Sequence, residues 1–357
     1  MRDVPTRAAA LLLALALSAC GPSAPPPAAP DATPAAASAP AGPDADAATA
    51  ALPAGWQRIA GDAVPVVAAA AQALPATVRS DDGVDATVSD SSRTIAGGDD
   101  VIAVMEALGL AGQVHAAPTS TTTAAGRAAA RQFLFNRNTG IEGVLSLDGT
   151  LFIGNSLRRH AKSGLAARLR DAGLAVVIVD DLQPAPDKVR KVAAALGLPA
   201  QGDALAAQVA AQLAEAKAIG DALPRRPRVL HVSATGAGGQ PTVGGRDSAA
   251  AAQIRLAGGD NAGDAAGVND YSSLGAEGVL ALDPEVVLLS ENDLRSFGGE
   301  AGLWAAYPTL ARTRAGRAAR VWVMPDLQLK STSVASGTGA IALARALAVL
   351  AAEPPAR

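Results

Sequence analysis

Two carboxylates occupy matching places in an internal repeat. Glu142-Gly143-Val144-Leu145-Ser146-Leu147-Asp148 recurs 135 residues later as Glu277-Gly278-Val279-Leu280-Ala281-Leu282-Asp283, with six of the seven positions identical. An ionised carboxylate can accept two parallel hydrogen bonds from one arginine, so two glutamates at a fixed separation can set both register and orientation against a partner. Each also suits the start of a helix, where the macrodipole favours negative charge. The other groups capable of chemistry are sparse. Of the three histidines, His231 lies inside an apolar run and reads as a packed core residue, and His115 begins another such run. His160 follows Asn155-Ser156-Leu157-Arg158-Arg159, a loop after an expected strand, where open α/β sheets bind ligands. Arg137, Arg158, Arg159, Arg246 and Lys330 also fall in loops, and arginines there can clamp carboxylates or be plain solvated surface.

Cys20 is the only cysteine, which excludes an internal disulfide and a cysteine metal cage. Arg2 and Arg7, the apolar run Leu11 to Leu17, and Leu17-Ser18-Ala19 before Cys20 form an export signal over residues 1–19. The string resembles the bacterial lipobox, which makes Cys20 the site of lipid attachment, and acyl chains add about 0.8 kcal/mol per buried methylene to membrane binding. Residues 20–54 are dominated by Pro, Ala, Gly, Ser, Thr and Asp and read as a disordered tether. With 49% hydrophobic residues, 3% aromatics and a net charge of −3, the chain lacks the basic surface that nucleic acid requires. No later apolar run reaches the roughly 18 residues of a membrane span. A Gly-x-Ser-x-Gly elbow, a phosphate loop ending in Gly-Lys-Ser/Thr and a His-Glu-x-x-His helix are all missing, and Gly97-Gly98-Asp99 lacks the third glycine of a dinucleotide fingerprint. The sequence therefore offers no enzyme reading, and no cofactor or metal site of its own is expected.

The elements that must position these residues are strands alternating with helices. Ala76 to Asp90, centred on Asp82-Gly83, predicts a β-hairpin. Thr94–Ala96, a stretch near Val114, Leu151–Gly154 and Ala175–Val179 are expected strands. They are separated by helices over Val101–Leu108, Glu142–Leu147 and Ala161–Ala172. Asp187–Leu196 and Ala204–Leu223 are helical in composition, closed by Pro224 and Pro227. The pattern then restarts with strands at Arg228–Ser233, Glu285–Leu289 and Arg320–Met324. Its helices are at Ala249–Leu256, Glu277–Leu282 and Gly339–Ala351. The reading is α/β: two Rossmann-like lobes with parallel sheets, residues 75–182 (with the hairpin at the start) and 226–357, joined by a long helix within 183–225, which the resemblance described next implies to be rigid.

The block AEGVLALDPEVVLL (276–289) resembles the signature of periplasmic substrate-binding proteins of metal-chelate ABC importers, those for haemin, cobalamin and siderophores. Further likeness runs through SRTIAGGDDVIAVMEALGLAGQV, LRDAGLAVVIVDD, KVRKVAAALGLP, RPRVLHV, IRLAGGDNA and TRAGRAARVWVM, together spanning roughly residues 75–352 and nearest to haemin-binding members. The resemblance implies a monomer that holds a small-molecule metal chelate between its lobes. It also implies docking of Glu142 and Glu277 into arginine pockets of an ABC permease dimer. Haemin-binding relatives place a tyrosine in the loop after the second strand, where this sequence has Thr122. They place His or Tyr where this one has Ser233 and Thr235, and their Gly-Phe-Gly-Pro stretch is replaced by Ser333 to Gly337. A threonine hydroxyl is a poor ligand for ferric iron, so an anionic chelate held without a tyrosine–iron bond at that loop is expected, with Tyr271 the alternative phenol. The candidate ligand set is thus Thr122, Arg137, Arg158, Arg159, His160, Ser233, Thr235, Arg246 and Tyr271. Two readings stay open: a lipid-anchored transport receptor, at the periplasmic or outer surface of a membrane, and a non-transporting lipoprotein that kept the fold for another ligand or a protein partner.

Overall fold

A computed structural model describes residues 51–62, 64–134, 139–155, 164–234 and 241–354. Its strands, in chain order, are β1 Gln57–Arg58, β2 Ala76–Arg79, β3 Asp85–Val88, β4 Thr94–Ala96, β5 Val114–Pro118, β6 Arg131–Phe133, β7 Leu151–Gly154, β8 Ala175–Ile178, β9 Arg228–Ser233, β10 Thr242–Gly244, β11 Asp260–Asn261, β12 Tyr271–Ser272, β13 Val286–Ser290 and β14 Val321–Met324.

In the N-terminal lobe the order is β6-β5-β4-β7-β8, every pair parallel. Strand side chains alternate between faces. Ile95, Ala116, Phe152, Val176 and Ile178 accordingly enter one core layer, and Ala96, Ala117, Leu151, Ile153 and Val177 the opposite one. Because helices cover both faces, these strands read in the sequence as unbroken apolar runs. The helix Asp99–Ala107 buries Val101, Ile102, Val104 and Met105 and is followed by Gly109 at φ +77°. The expected hairpin is present as the antiparallel pair β2–β3.

The C-terminal lobe departs from the expected all-parallel sheet. Its order is β1-β14-β13-β9-β10-β12, with β11 also on β9, and β10 runs antiparallel to both β9 and β12. Only eight residues separate Ser233 from Thr242, too few for the crossover of a dozen or more that a parallel neighbour needs, so the chain turns straight back. Leu230, Val232, Val287, Leu289, Val321 and Val323 fill one layer, and Val229, Val286, Leu288, Trp322 and Met324 the other. The helices Glu291–Phe297 and Glu300–Ala306, absent from the sequence reading, cover one end.

Three segments belong to both lobes. The helix Pro199–Asp221, about 34 Å long at 1.5 Å per residue, places Leu205, Ala206 and Val209 in the N-lobe core and Ile219 against a C-lobe layer. Leu327 and Val334 join the N-lobe core while Leu329, between them, stays in the C-lobe core. The stretch before β2 packs Trp56 and Ile59 on the C-lobe and Val67, Ala70 and Leu74 on the N-lobe. Gly61 lies so close to Thr338 that an added Cβ would sit 2.2 Å from its hydroxyl. A domain joint with this much shared core resists hinge motion, in keeping with the rigid connection that the resemblance implies.

Candidate functional site

In an open α/β sheet, ligands bind beyond the carboxyl ends of the strands where the strand order reverses. In the N-lobe that point lies between β4 and β7, because the chain proceeds outward to β5 and β6 on one side and to β8 on the other. Gly154, at φ +145°, lies against Gly97 there; a Cβ on Gly154 would stand 2.7 Å from the Gly97 Cα, so a side chain at 154 would force the two segments apart.

Asp99 and Asp100 follow at the start of the helix Asp99–Ala107 and have separate partners. Asp99 accepts from the Thr122 amide at 2.7 Å, the Thr122 hydroxyl at 2.8 Å and the Thr121 hydroxyl. Asp100 accepts from the fully buried Lys188 ammonium at 2.6 Å, and the Asp181 carboxylate stands 3.8 Å from the same nitrogen. Burial and the nearby Asp100 push the Asp181 carboxyl above the usual carboxylate range despite Lys188. Asn155 donates to Asp181, and its own carbonyl oxygen is buried without a hydrogen-bond partner.

The C-lobe reverses between β9 and β13, and a polar cluster fills that point. Asp293, 1% exposed, accepts from Ser233 Oγ at 2.8 Å, Ser290 Oγ at 2.7 Å, the Ala234 amide at 3.1 Å and Lys330 Nζ at 2.9 and 3.0 Å. Burial alone would raise the Asp293 carboxyl, but His231, Lys330 and the Ser290 hydroxyl hold it below the ordinary range. Asp326, which accepts from the Asn292 amide at 2.9 Å, is pushed upward by burial. The two crevices are tied together: Thr332, two residues beyond Lys330, donates its hydroxyl to the Asp181 carbonyl at 2.9 Å.

The sequence-derived candidates distribute unevenly over this geometry. Thr122 is at the N-lobe crevice, but its hydroxyl proton and amide both go to Asp99. Ser233 is at the C-lobe crevice, buried and bound to Asp293 and Lys330. Tyr271, on β12, lies half-buried with its ring edge-to-face against His231, centroids 5.8 Å apart; burial, then Asp293 and Asp270, raise its phenol. Arg246 is exposed after β10. Glu142 and Glu277 are exposed in the first turns of the helices Ile141–Leu145 and Ala276–Leu282. Cys20, Arg137, Arg158, Arg159, His160 and Thr235 lie outside the described residues. Asp99, Asp100, Lys188, Asp181 and Asp293 were not picked out from sequence. One signal for Asp293 was there to read: Ser290-x-x-Asp293 is a capping-box spacing, and Ser290 Oγ does accept from the Asp293 amide at 3.0 Å.

His231 is the packed core residue the sequence reading expects, with no exposed surface. Its Nδ1 faces the Leu288 carbonyl at 3.0 Å, so the proton sits there and Nε2 keeps a buried, unpartnered lone pair. Burial lowers its pKa to about 4. Between pH 6.5 and 4 the unfolded chain therefore binds a proton that the folded chain refuses, and stability falls as pH falls through that window. The loss is on the order of 3 kcal/mol by linkage. Urea midpoints measured from pH 7 to pH 4 should drop accordingly, and His231→Phe should flatten the slope; an unchanged slope in that variant would place the acid sensitivity elsewhere.

A cavity of about 640 Å³ lies at the other end of the N-lobe, between the hairpin, Gly149-Thr150 and Arg170 to Val176. Arg170 is committed there to Asp82 and the Val176 carbonyl, so the cavity gathers no converging chemistry.

A family profile described as periplasmic binding protein matches residues 95–327. Among solved structures the chain is similar to the periplasmic heme-binding protein RhuT from Roseiflexus sp. RS-1 in apo form, with 32% identity over 73% of this chain and 100% of that one and a TM-score of 0.66. It is similar to the heme-binding protein HmuT at 27% identity over 82% and 97% of the two chains, TM-score 0.69. It is similar also to the periplasmic heme-binding protein BhuT in complex with two hemes, at 30% identity over 74% and 100%, TM-score 0.62. No curated protein sequence matches.

Proposed function

The chain belongs to the periplasmic binding protein family, and from that premise we propose that it is the lipid-anchored receptor of an ABC importer, capturing haemin or a related iron or cobalt chelate between its lobes. What carries this reading is the likeness to RhuT and BhuT, which spans the full length of those chains and about three-quarters of this one. The site is consistent with it: two crevices at the carboxyl ends of the central strands, joined through Thr332 and Asp181 in a body whose lobes share core. Cys20 holds the receptor to the membrane, and Glu142 and Glu277 present it to a permease dimer. A second reading, a lipoprotein of the same fold that no longer transports, is favoured by one observation. The loop in which haemin-binding relatives carry a tyrosine is tied here to Asp99 by Thr122.

Titrating the purified chain with haemin, cobalamin and ferric siderophores separates the two. We expect haemin to bind with a shifted Soret band and no phenolate-to-iron charge-transfer band at neutral pH, because Thr122 supplies no phenolate and Tyr271 is held protonated by burial and its carboxylate neighbours. A tyrosinate spectrum that disappears in Tyr271→Phe would assign that residue to the iron. Binding of none of these chelates would leave the non-transporting reading.

A further inference from the structure

The offset of 135 residues that relates Glu142 to Glu277 also relates the strands beside them. Thr94, Ile95 and Ala96 of β4 stand against Leu151, Phe152 and Ile153 of β7. At the same offset Val229, Leu230 and His231 of β9 stand against Val286, Val287 and Leu288 of β13. The backbone that carries the glutamates repeats as well. The Val144 amide donates to the Gly140 carbonyl and the Val279 amide to the Gly275 carbonyl. Asp148 and Asp283, at φ +54° and +40°, donate their amides to the Leu145 and Leu280 carbonyls.

One matched pair is charged and reaches far along the chain. Arg93 and Arg228, again 135 residues apart, stand at the amino ends of β4 and β9. The Arg93 carbonyl accepts from the Thr150 amide at 2.9 Å, and the Arg93 amide donates to the Thr150 hydroxyl at 3.2 Å. The Arg228 carbonyl accepts from the Glu285 amide at 2.8 Å, and the Arg228 amide donates to the Glu285 carboxylate at 3.1 Å. Each guanidinium then takes hold of the turn that ends a glutamate-bearing helix: Arg93 Nε donates to the Asp148 carbonyl at 2.7 Å, Arg228 Nη1 to the Leu282 carbonyl at 2.9 Å. A cation is well placed on the carbonyls at a helix end. The helices Ile141–Leu145 and Ala276–Leu282 are too short to hold themselves, so such ties set where their glutamates point.

The two mounts are unequal. Arg314 gives Asp283 three further bonds, from its amide at 2.8 Å and its Nε and Nη2 at 2.9 Å each. Asp148 has Arg93 as its ion-pair partner among the described residues, at 3.6 Å. Resting on the docking reading above, we infer that Arg93 is the positioning residue for the N-lobe docking carboxylate, a role that Arg228 and Arg314 share in the C-lobe. Each mount is thereby tied to the strand whose other end opens on the crevice, at Asp99 in one lobe and Ser233 in the other.

Amide hydrogen exchange on the intact chain reads the mounts directly. In Arg93→Met the amides of residues 143–148 should exchange about ten-fold faster, with 278–283 and the core strands unchanged, and Arg93→Lys should restore most of the protection. Arg228→Met alone should leave 278–283 within about two-fold of the parent, and Arg228→Met with Arg314→Met should release that segment. Glu285 keeps Arg225 at 2.7 Å in both variants. With a cognate permease in vesicles, Arg93→Met should raise the receptor concentration for half-maximal ATPase stimulation about five-fold, at unchanged maximal rate and unchanged haemin affinity. Faster exchange throughout the lobe would make the arginine purely structural, and unaltered exchange at 143–148 would deny the mount; either result overturns the inference. So does an Arg93→Met chain that docks like the parent while Glu142→Ala with Glu277→Ala does not, and the docking reading then stands. Full stimulation by that double glutamate variant would instead remove the docking reading, and with it anything for the arginines to position.

Discussion

The double variant Glu142→Ala, Glu277→Ala should lose ligand uptake and stimulation of the importer's ATPase while ligand binding in solution stays intact. Both glutamates are exposed, and each sits in the first turn of a short helix that precedes the second half of its lobe. Their helices bury Val144 and Val279 at the same repeat position, so each carboxylate is carried on a fixed mount and not on a loose loop. Neither belongs to the segments that directly follow β4, β7, β9 or β13, where the crevice residues are. Removing a carboxylate from a buried, hydrogen-bonded charge pair leaves the partner arginine stranded and costs about 2–5 kcal/mol, a loss of at least about 30-fold in affinity per site. On the docking role proposed above, two such sites would set orientation together, so the double loss should abolish productive docking. Reconstituted vesicles with a cognate permease supply the measurement. Full ATPase stimulation by the double variant would remove the docking role, and weakened ligand binding would show instead that the glutamates support the lobes.

Lys188→Ala should strongly destabilise the N-lobe. The ammonium is wholly buried, and it neutralises Asp100, itself only 8% exposed, at 2.6 Å, with Asp181 close by. A buried ion pair adds little over a well-packed apolar pair, but removing one member leaves an uncompensated charge and costs about 3–5 kcal/mol. The double change Lys188→Met with Asp100→Leu removes both charges and should recover most of that loss. Urea unfolding of the three chains decides the matter: equal losses in the single and double variants would mean that packing volume, not charge, is what Lys188 contributes.

How far the sequence could be read depended on the range of the forces involved. Strands β4, β7 and β9 were legible to the residue, because strands covered on both faces show as apolar runs between turn residues. The long helix was legible too, though it begins at Pro199, five residues before the expected Ala204. Short strands held only by a neighbour were not: β6, β10 and β12 have two or three residues each and no periodicity to find. The same limit applies to the site. Glu142 and Glu277 announced themselves by repetition within the chain. Asp99, Lys188 and Asp293 matter because of what folding brings against them from 22 to 88 residues away, and a linear pattern carries no trace of such meetings. Thr122 marks the boundary between the two. Its position was marked by resemblance, but its commitment to Asp99 belongs to the folded chain alone.

The stretch ahead of β2 also guards the protein against its own kind. Without β1, strand β14 would end the C-lobe sheet with an open row of backbone donors and acceptors along the apolar run Val321-Trp322-Val323-Met324, a template for another chain's strand. Gln57 and Arg58 pair with Trp322 and Val323, the Ile59 amide donates to the Val323 carbonyl at 2.9 Å, and Arg58 turns to Glu291 at 3.1 Å. What remains at the margin is two exposed polar residues, one of them charged, too short to recruit a neighbour. An apolar strand left open at a sheet edge is where a second copy would add its own strand, and this short plug closes that edge.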